Sequence, residues 1–143
     1  MRIGLVSCAK AKLSQAAPAR ELYSPSASFR GARCHVERTC DRWFILSAKH
    51  GLVRPEQVLE PYEQTLNDAS RAKRRAWSAR VLGQLHAELG DLRGHTFEIH
   101  AGAAYVGFGL KSGLLAAGAL VEEPLGRLRQ GERLSFYKRE GCL

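Results

Sequence analysis

The reactive side chains of this sequence concentrate in two short segments. Ser7-Cys8-Ala9-Lys10-Ala11-Lys12 sets a thiol and two amines among small residues, and Ser47-Ala48-Lys49-His50-Gly51 sets a hydroxyl, an amine and an imidazole side by side. A loop of small residues leaves its backbone N–H groups accessible, and with added lysines it cradles phosphate or carboxylate. The spacing of a Walker A loop is absent. Cys8 beside these lysines is a candidate nucleophile or sensor; the plainer reading is an inert cysteine packed at a strand end. His50 suits acid–base work near neutral pH, and Lys49 binds anions or, if desolvated, acts as an amine nucleophile. The plainer reading of that pair is a loop-capping histidine with a surface lysine.

Further candidates lie downstream. Glu60-Pro61-Tyr62-Glu63-Gln64-Thr65-Leu66 offers carboxylates to hold a water or hydroxyl and an aromatic ring to stack on a base, unless these residues only pack a loop. Gly102-Ala103-Ala104-Tyr105 lets a ligand approach the backbone, with Tyr105 as a pocket wall or a core residue. Arg71, Arg74 and Arg75 mark a basic helix face that either tracks phosphates or is simply solvated, and the same choice holds for Arg127 and Arg129. The expected catalytic set is therefore Lys49, His50, Glu60 and Glu63. Ser7, Cys8, Lys10, Lys12, Tyr23, Ser47, Tyr62, Gly102 and Tyr105 are expected to bind substrate, and Arg71, Arg74 and Arg75 a nucleic-acid backbone. The cysteines contain no C-x-x-C pair, and no metal and no cofactor is expected.

Both reactive segments end apolar runs. Residues 2–7 and 43–47 read as buried parallel strands, and in an open α/β sheet ligands sit outside the carboxyl ends of such strands. The two strand ends are thus expected to assemble one site. Between them, Ser24 as N-cap and Pro25 in the first turn open a helix of residues 26–40, with Phe29, Ala32, Val36 and Cys40 on its apolar side. Residues 48–68, with Pro55 and Pro61, read as an irregular stretch that is either functional or contains a short helix. Asn67-Asp68 caps a long helix to Leu89, with Ala72, Ala76, Ala79, Leu82 and Leu85 to Leu89 as its apolar stripe and Gly90 to Gly94 as its stop. Thr96 to His100 alternates like a strand, a small-residue helix runs to Ala117, Ala119 to Val121 is a fourth strand, and Gln130 to Arg139 a last helix. This alternation predicts an α/β fold: a single three-layer domain over residues 1–143, with a small, mostly parallel sheet of about four strands flanked by helices.

Composition narrows the function classes. With 143 residues, 45% apolar and 25% charged, the chain reads as an ordinary globular domain with a real core. No apolar stretch approaches the ~18 residues that span a bilayer. Ser7, Lys10 and Lys12 interrupt any secretory signal, so a cytoplasmic location is expected, with Cys8, Cys34, Cys40 and Cys142 as free thiols and no membrane partner. The net charge of +8 and pI near 9.7, with Arg outnumbering Lys, favour an anionic partner: nucleic acid, DNA more than RNA, or a nucleotide. A biased genome would produce the same composition.

Read together, the motifs carry a resemblance. Ser7 to Lys12, Leu22-Tyr23-Ser24-Pro25 before Phe29, Trp43 to Val53 and Pro61 to Leu66 resemble an uncharacterised bacterial and archaeal domain family. That family starts S-C-[SA]-K-x-K and carries S-A-K-[HY]-G-L and P-Y-[ED]-x-T-L; Pro124-Leu125 with Gly126 and Gly131 resembles its usual ending. More distantly, the pattern is similar to the YaaA-like peroxide-stress DNA-binding proteins and to the α/β domain of archaeosine synthase, related in fold to uracil-DNA glycosylases. The resemblance implies an α/β fold and work on nucleic acid or modified nucleobases. The usual water-activating motif of uracil-DNA glycosylases is missing, and no helix-hairpin-helix insertion is recognisable. Three expectations follow: a glycosylase-like enzyme of base repair that hydrolyses an N-glycosidic bond, a DNA- or RNA-binding stress protein without turnover, or an enzyme on free nucleotides.

Overall fold

Four consecutive buried residues, Ile3 to Val6, leave strand β1 (Arg2–Ser7) no solvent face, and it runs through the middle of the molecule. The computed structural model describes all 143 residues. After β1 come β2 (Ala17–Pro18), α1 (Ala19–Leu22), α2 (Ala27–Thr39), β3 (Arg42–Ser47), β4 (Gly51–Val53) and β5 (Val58–Leu59). A 3-10 turn (Leu66–Asp68) leads into α3 (Arg71–Leu89), followed by β6 (Thr96–His100), α4 (Ala103–Val106), α5 (Leu110–Ala116), β7 (Leu120–Glu122) and α6 (Gln130–Arg139).

The main sheet has the order β4-β3-β1-β6-β7. Three of its pairings are parallel, β1 with β3, β1 with β6 and β6 with β7, and β4 folds back antiparallel on β3. Phe97 and Ile99 of β6, with Ile3, Leu5, Phe44 and Leu46, pack against Trp77, Val81 and Leu85 of α3 and Leu110 and Leu114 of α5. On the opposite face Val6, Ile45 and Val53 pack against Phe29, Ala32 and Val36 of α2 and Tyr137 of α6. The architecture is therefore three-layer α/β, as the alternation of elements predicts, with one strand more than expected. A Cβ on Gly4 would stand 2.7 Å from the Val36 Cβ, so α2 lies as close to β1 as it does only because that residue is glycine.

Several boundaries differ from expectation for local reasons. The cap of α2 is Ser26, whose Oγ accepts from Phe29 N at 3.2 Å; Ser24 sits in the preceding turn, where its carbonyl accepts from Arg30. Asn67 and Asp68 belong to the 3-10 turn capped by Thr65, and Ser70 caps α3. The buried side of α3 is Trp77, Ser78, Val81 and Leu85, while Ala72, Ala76 and Ala79 are exposed. One indole buries far more apolar area than three methyl groups, and it sets the rotation of the helix. The small-residue helix breaks at Gly107 to Gly109 into α4 and α5. Residues 48–68 are not wholly irregular: β4 extends the sheet, and β5 pairs with β2 across from the loop after β1. The expectation of four free thiols is also corrected. Cys34 of α2 and Cys142, 108 residues apart, form a disulfide that pins the end of α6 to α2, and Cys8 and Cys40 are free. No helix is long and apolar enough to cross a membrane.

Candidate functional site

Strand order decides where a ligand can sit. From β1 the chain passes through α2 to β3 on one side; from the β3–β4 hairpin it passes through α3 to β6 on the other side of β1. The connections diverge between β1 and β6, so the crevice outside their carboxyl ends is the switch point of the sheet. A cleft of about 640 Å³ opens there, a size typical of small-molecule sites. Ser7, Cys8, Ala9, Lys10 and Lys12 line it from the loop after β1, and Gly102 and Tyr105 from the segment after β6. Glu63, Gln64, Thr65, Asn67 and Asp68 line it from the stretch before α3, and Gln130 and Arg133 from α6. A narrower pocket of about 230 Å³ shares Ser7, Cys8, Gln130 and Arg133 and reaches His100 and Tyr137.

Local bonding fixes these walls. Cys8 N donates to Leu46 O at 2.9 Å, which carries the ladder of β1 one residue beyond Ser7. The Cys8 Sγ lies 3.5 Å from the Tyr105 hydroxyl, and the Tyr105 ring stands edge-on to Trp77 with centroids 5.4 Å apart. Lys12 Nζ sits 4.6 Å from the centre of the Tyr62 ring, a cation–π contact that holds the ammonium at the cleft.

The end of β3 is built differently. Ser47 is fully buried; its Oγ is 2.7 Å from the Tyr62 hydroxyl, which is 2.7 Å from that of Tyr23. Ser47 O accepts from Trp77 Nε1 at 2.8 Å, and Ser47 Oγ accepts from His50 N at 3.0 Å. Tyr23 and Tyr62 are buried and engaged, so neither ring is free to stack on a base. Burial pushes the Tyr23 phenol up to about 12, against the hydrogen bond from Tyr62, and pushes Tyr62 up as well. Lys49 and His50 occupy the β3–β4 turn. Burial, and then the charges of Lys49 and Arg80, lower the pKa of His50, which keeps it neutral at pH 7.

The predicted residues thus divide. Ser7, Cys8, Lys10, Lys12, Glu63, Gly102 and Tyr105 come together around the cleft. Ser47, Tyr62 and Tyr23 form a hydrogen-bonded support beside it, and Lys49, His50 and the exposed Glu60 are not among its walls. Arg71 and Arg75 line an open depression of about 510 Å³ with Phe108. Arg74 instead donates to the carbonyls of Leu66 and Asn67 and stacks on Phe108, which leaves it a structural role.

Two groups escaped sequence reasoning. Gln130 and Arg133 reach the cleft only because the disulfide-pinned α6 folds across it. The other group is His35, Glu98 and His100, the side chains able to hold a metal ion, with ligand atoms within 4.8 Å of one another. Burial pushes the Glu98 carboxyl up, but hydrogen bonds from His100 and Arg2 outweigh it and hold the group down at about 2. Burial lowers the His100 pKa more than Glu98 raises it. Their signal was the alternation of β6 itself: a polar residue at every second position is ordinary on a solvated face and costly in a strand covered on both.

No curated protein and no solved structure matches the chain significantly. Residues 3–139, nearly its whole length, match the family of unknown function DUF6884, and the chain belongs to that family.

Proposed function

We propose that the protein acts on nucleic acid and hydrolyses the N-glycosidic bond of a damaged or modified base held in the cleft between the ends of β1 and β6. The observation that carries this reading is the charge arrangement around the cleft. Glu63 and Asp68 bring carboxylates from one loop, and Lys10 and Lys12 bring ammonium groups from another, around about 640 Å³ of space. A base extruded from its stack is of a size for such a cleft. Glu63 takes the proton of a water whose oxygen bonds to C1′ as the C1′–N bond breaks. The base leaves with the bonding pair, and Lys10 and Lys12 stabilise its charge. Arg71 and Arg75 are exposed to meet phosphates, and the net charge of +8 favours that encounter. The motif resemblance to families that work on nucleic acid points the same way. Lys49, His50 and Glu60 take no part in this reading.

A second reading has one observation in its favour. Lys10, Glu63 and Asp68 are exposed, and an open polar cleft also suits a DNA- or RNA-binding protein without turnover. Labelled oligonucleotides containing uracil, hypoxanthine, oxidised or alkylated bases separate the two. Alkali-sensitive abasic sites made by the wild type and not by Glu63→Gln are the expected result. Retarded mobility without cleavage would favour the binding protein, and neither outcome would redirect the search to free nucleotides.

A further inference from the structure

Glu98 and His100 take no part in the proposed reaction, yet they sit 1% and 3% exposed in the strand beside the central one. From α2, His35 brings a second imidazole to the same place. His35 Nε2 and His100 Nε2 each lie 2.8 Å from a single oxygen, Glu98 Oε1. Two imidazole nitrogens from different elements therefore converge on one carboxylate oxygen.

We propose that His35 Nε2, Glu98 Oε1 and His100 Nε2 bind one divalent transition-metal ion of the Zn²⁺ type, with water in the fourth position. Two imidazoles and a carboxylate are a ligand set that such ions accept. Tetrahedral bonds of about 2.0–2.1 Å set ligand atoms roughly 3.3 Å apart. Each nitrogen has to retreat from Glu98 Oε1 by about half an ångström, and the two nitrogens, within 4.8 Å of each other, have to close to that same spacing around the ion. The surrounding groups suit this arrangement. Arg2 Nε and Nη2 donate to Glu98 Oε2 at 3.0 and 2.8 Å, which leaves Oε1 to coordinate alone. His100 Nδ1 lies 2.8 Å from the Tyr137 hydroxyl, so that with metal on Nε2 the Nδ1–H donates to Tyr137. With the metal on Nε2, each imidazole carries its proton on Nδ1. The His35 side chain keeps 13% of its exposure and provides the way in. The ion ties α2 to β6 and, through Tyr137, steadies α6 where it walls the cleft.

The test uses the full chain, stripped with a chelator and titrated with Zn²⁺ and, separately, Co²⁺. One equivalent of either metal is expected, Co²⁺ giving the visible absorption of a tetrahedral site and shifting the ring-proton resonances of His35 and His100 in the wild-type protein. His35→Gln and His100→Gln lose the stoichiometric uptake, and Tyr137→Phe weakens it about tenfold. Absence of stoichiometric uptake at micromolar free metal overturns the proposal, as does uptake that survives both histidine substitutions or leaves both histidine resonances unshifted. Glu98 is then a hydrogen-bonded anchor between α2 and β6.

Discussion

After β1 the chain continues into a long loop whose Cys8, Lys10 and Lys12 side chains stay on the cleft wall, whereas after β3 it folds straight back into β4 and buries Ser47 beneath Tyr62 and Trp77. The residue types are nearly the same at both ends: serine, a small residue, lysine. The connections differ. Gly51 adopts φ +73°, the hairpin closes, and the space beyond β3 is filled by its own chain. A crevice survives only where successive connections leave the sheet in opposite directions. Chemistry-bearing residues mark a site when the topology holds them open, and otherwise they become scaffold.

Substitutions at the two ends should therefore fail in different ways. The largest effect is expected for Glu63→Gln, which removes the carboxylate assigned to the water: release of base falls by about a hundred- to ten-thousandfold, with the urea midpoint unchanged. An undiminished rate would move the chemistry out of the cleft. At the closed end, Tyr62→Phe leaves Ser47 and Tyr23 without their shared partner and costs about 1–3 kcal/mol in urea unfolding. A neutral result there would erase the distinction between the ends. The phenols report the same burial. Tyr23, Tyr62, Tyr105 and Tyr137 are all pushed up by burial, Tyr23 to about 12. The folded protein should show almost no phenolate absorbance near pH 10, where the phenols of the urea-unfolded chain are about half ionised. The sign follows from linkage. The folded state holds these protons after the unfolded state has lost them, so stability is intact below pH ~10 and declines as pH rises towards 12 and beyond. The smallest effect belongs to the exposed face of α3: Arg75→Ala leaves stability within about 0.5 kcal/mol and lowers the slope of log affinity against log salt for an oligonucleotide by about one. An unchanged slope would mean that this face of α3 does not meet phosphate.

Much of the frame was legible because its signals are local. The apolar runs at β1 and β3, the alternation of β6 and the stop of α3 at Gly90 each declare themselves within a few residues. β4 was not, since Gly51 to Val53 is three residues long and becomes a strand only by pairing with β3. Ser24 and Ser26 are equally good caps in isolation, and the turn closed by Ser24 N on Glu21 O decides between them. Of the cleft, the walls from Ser7 to Lys12 and at Gly102 and Tyr105 could be read from strand ends. Arg133 could not, because its arrival depends on a fold-back over more than a hundred residues, sealed by Cys34 and Cys142. The His35, Glu98 and His100 cluster was hidden for another reason. A period of two looks the same whether its polar face meets water or a helix.

That long fold-back has a consequence in time. The ribosome delivers these 143 residues over roughly 7–30 s, with β1 among the first to emerge and Gln130 and Arg133 among the last. The strands that floor the cleft can pair before its far wall exists. A nascent chain would therefore carry Lys10 and Lys12 on display while still lacking the surface that completes the cavity.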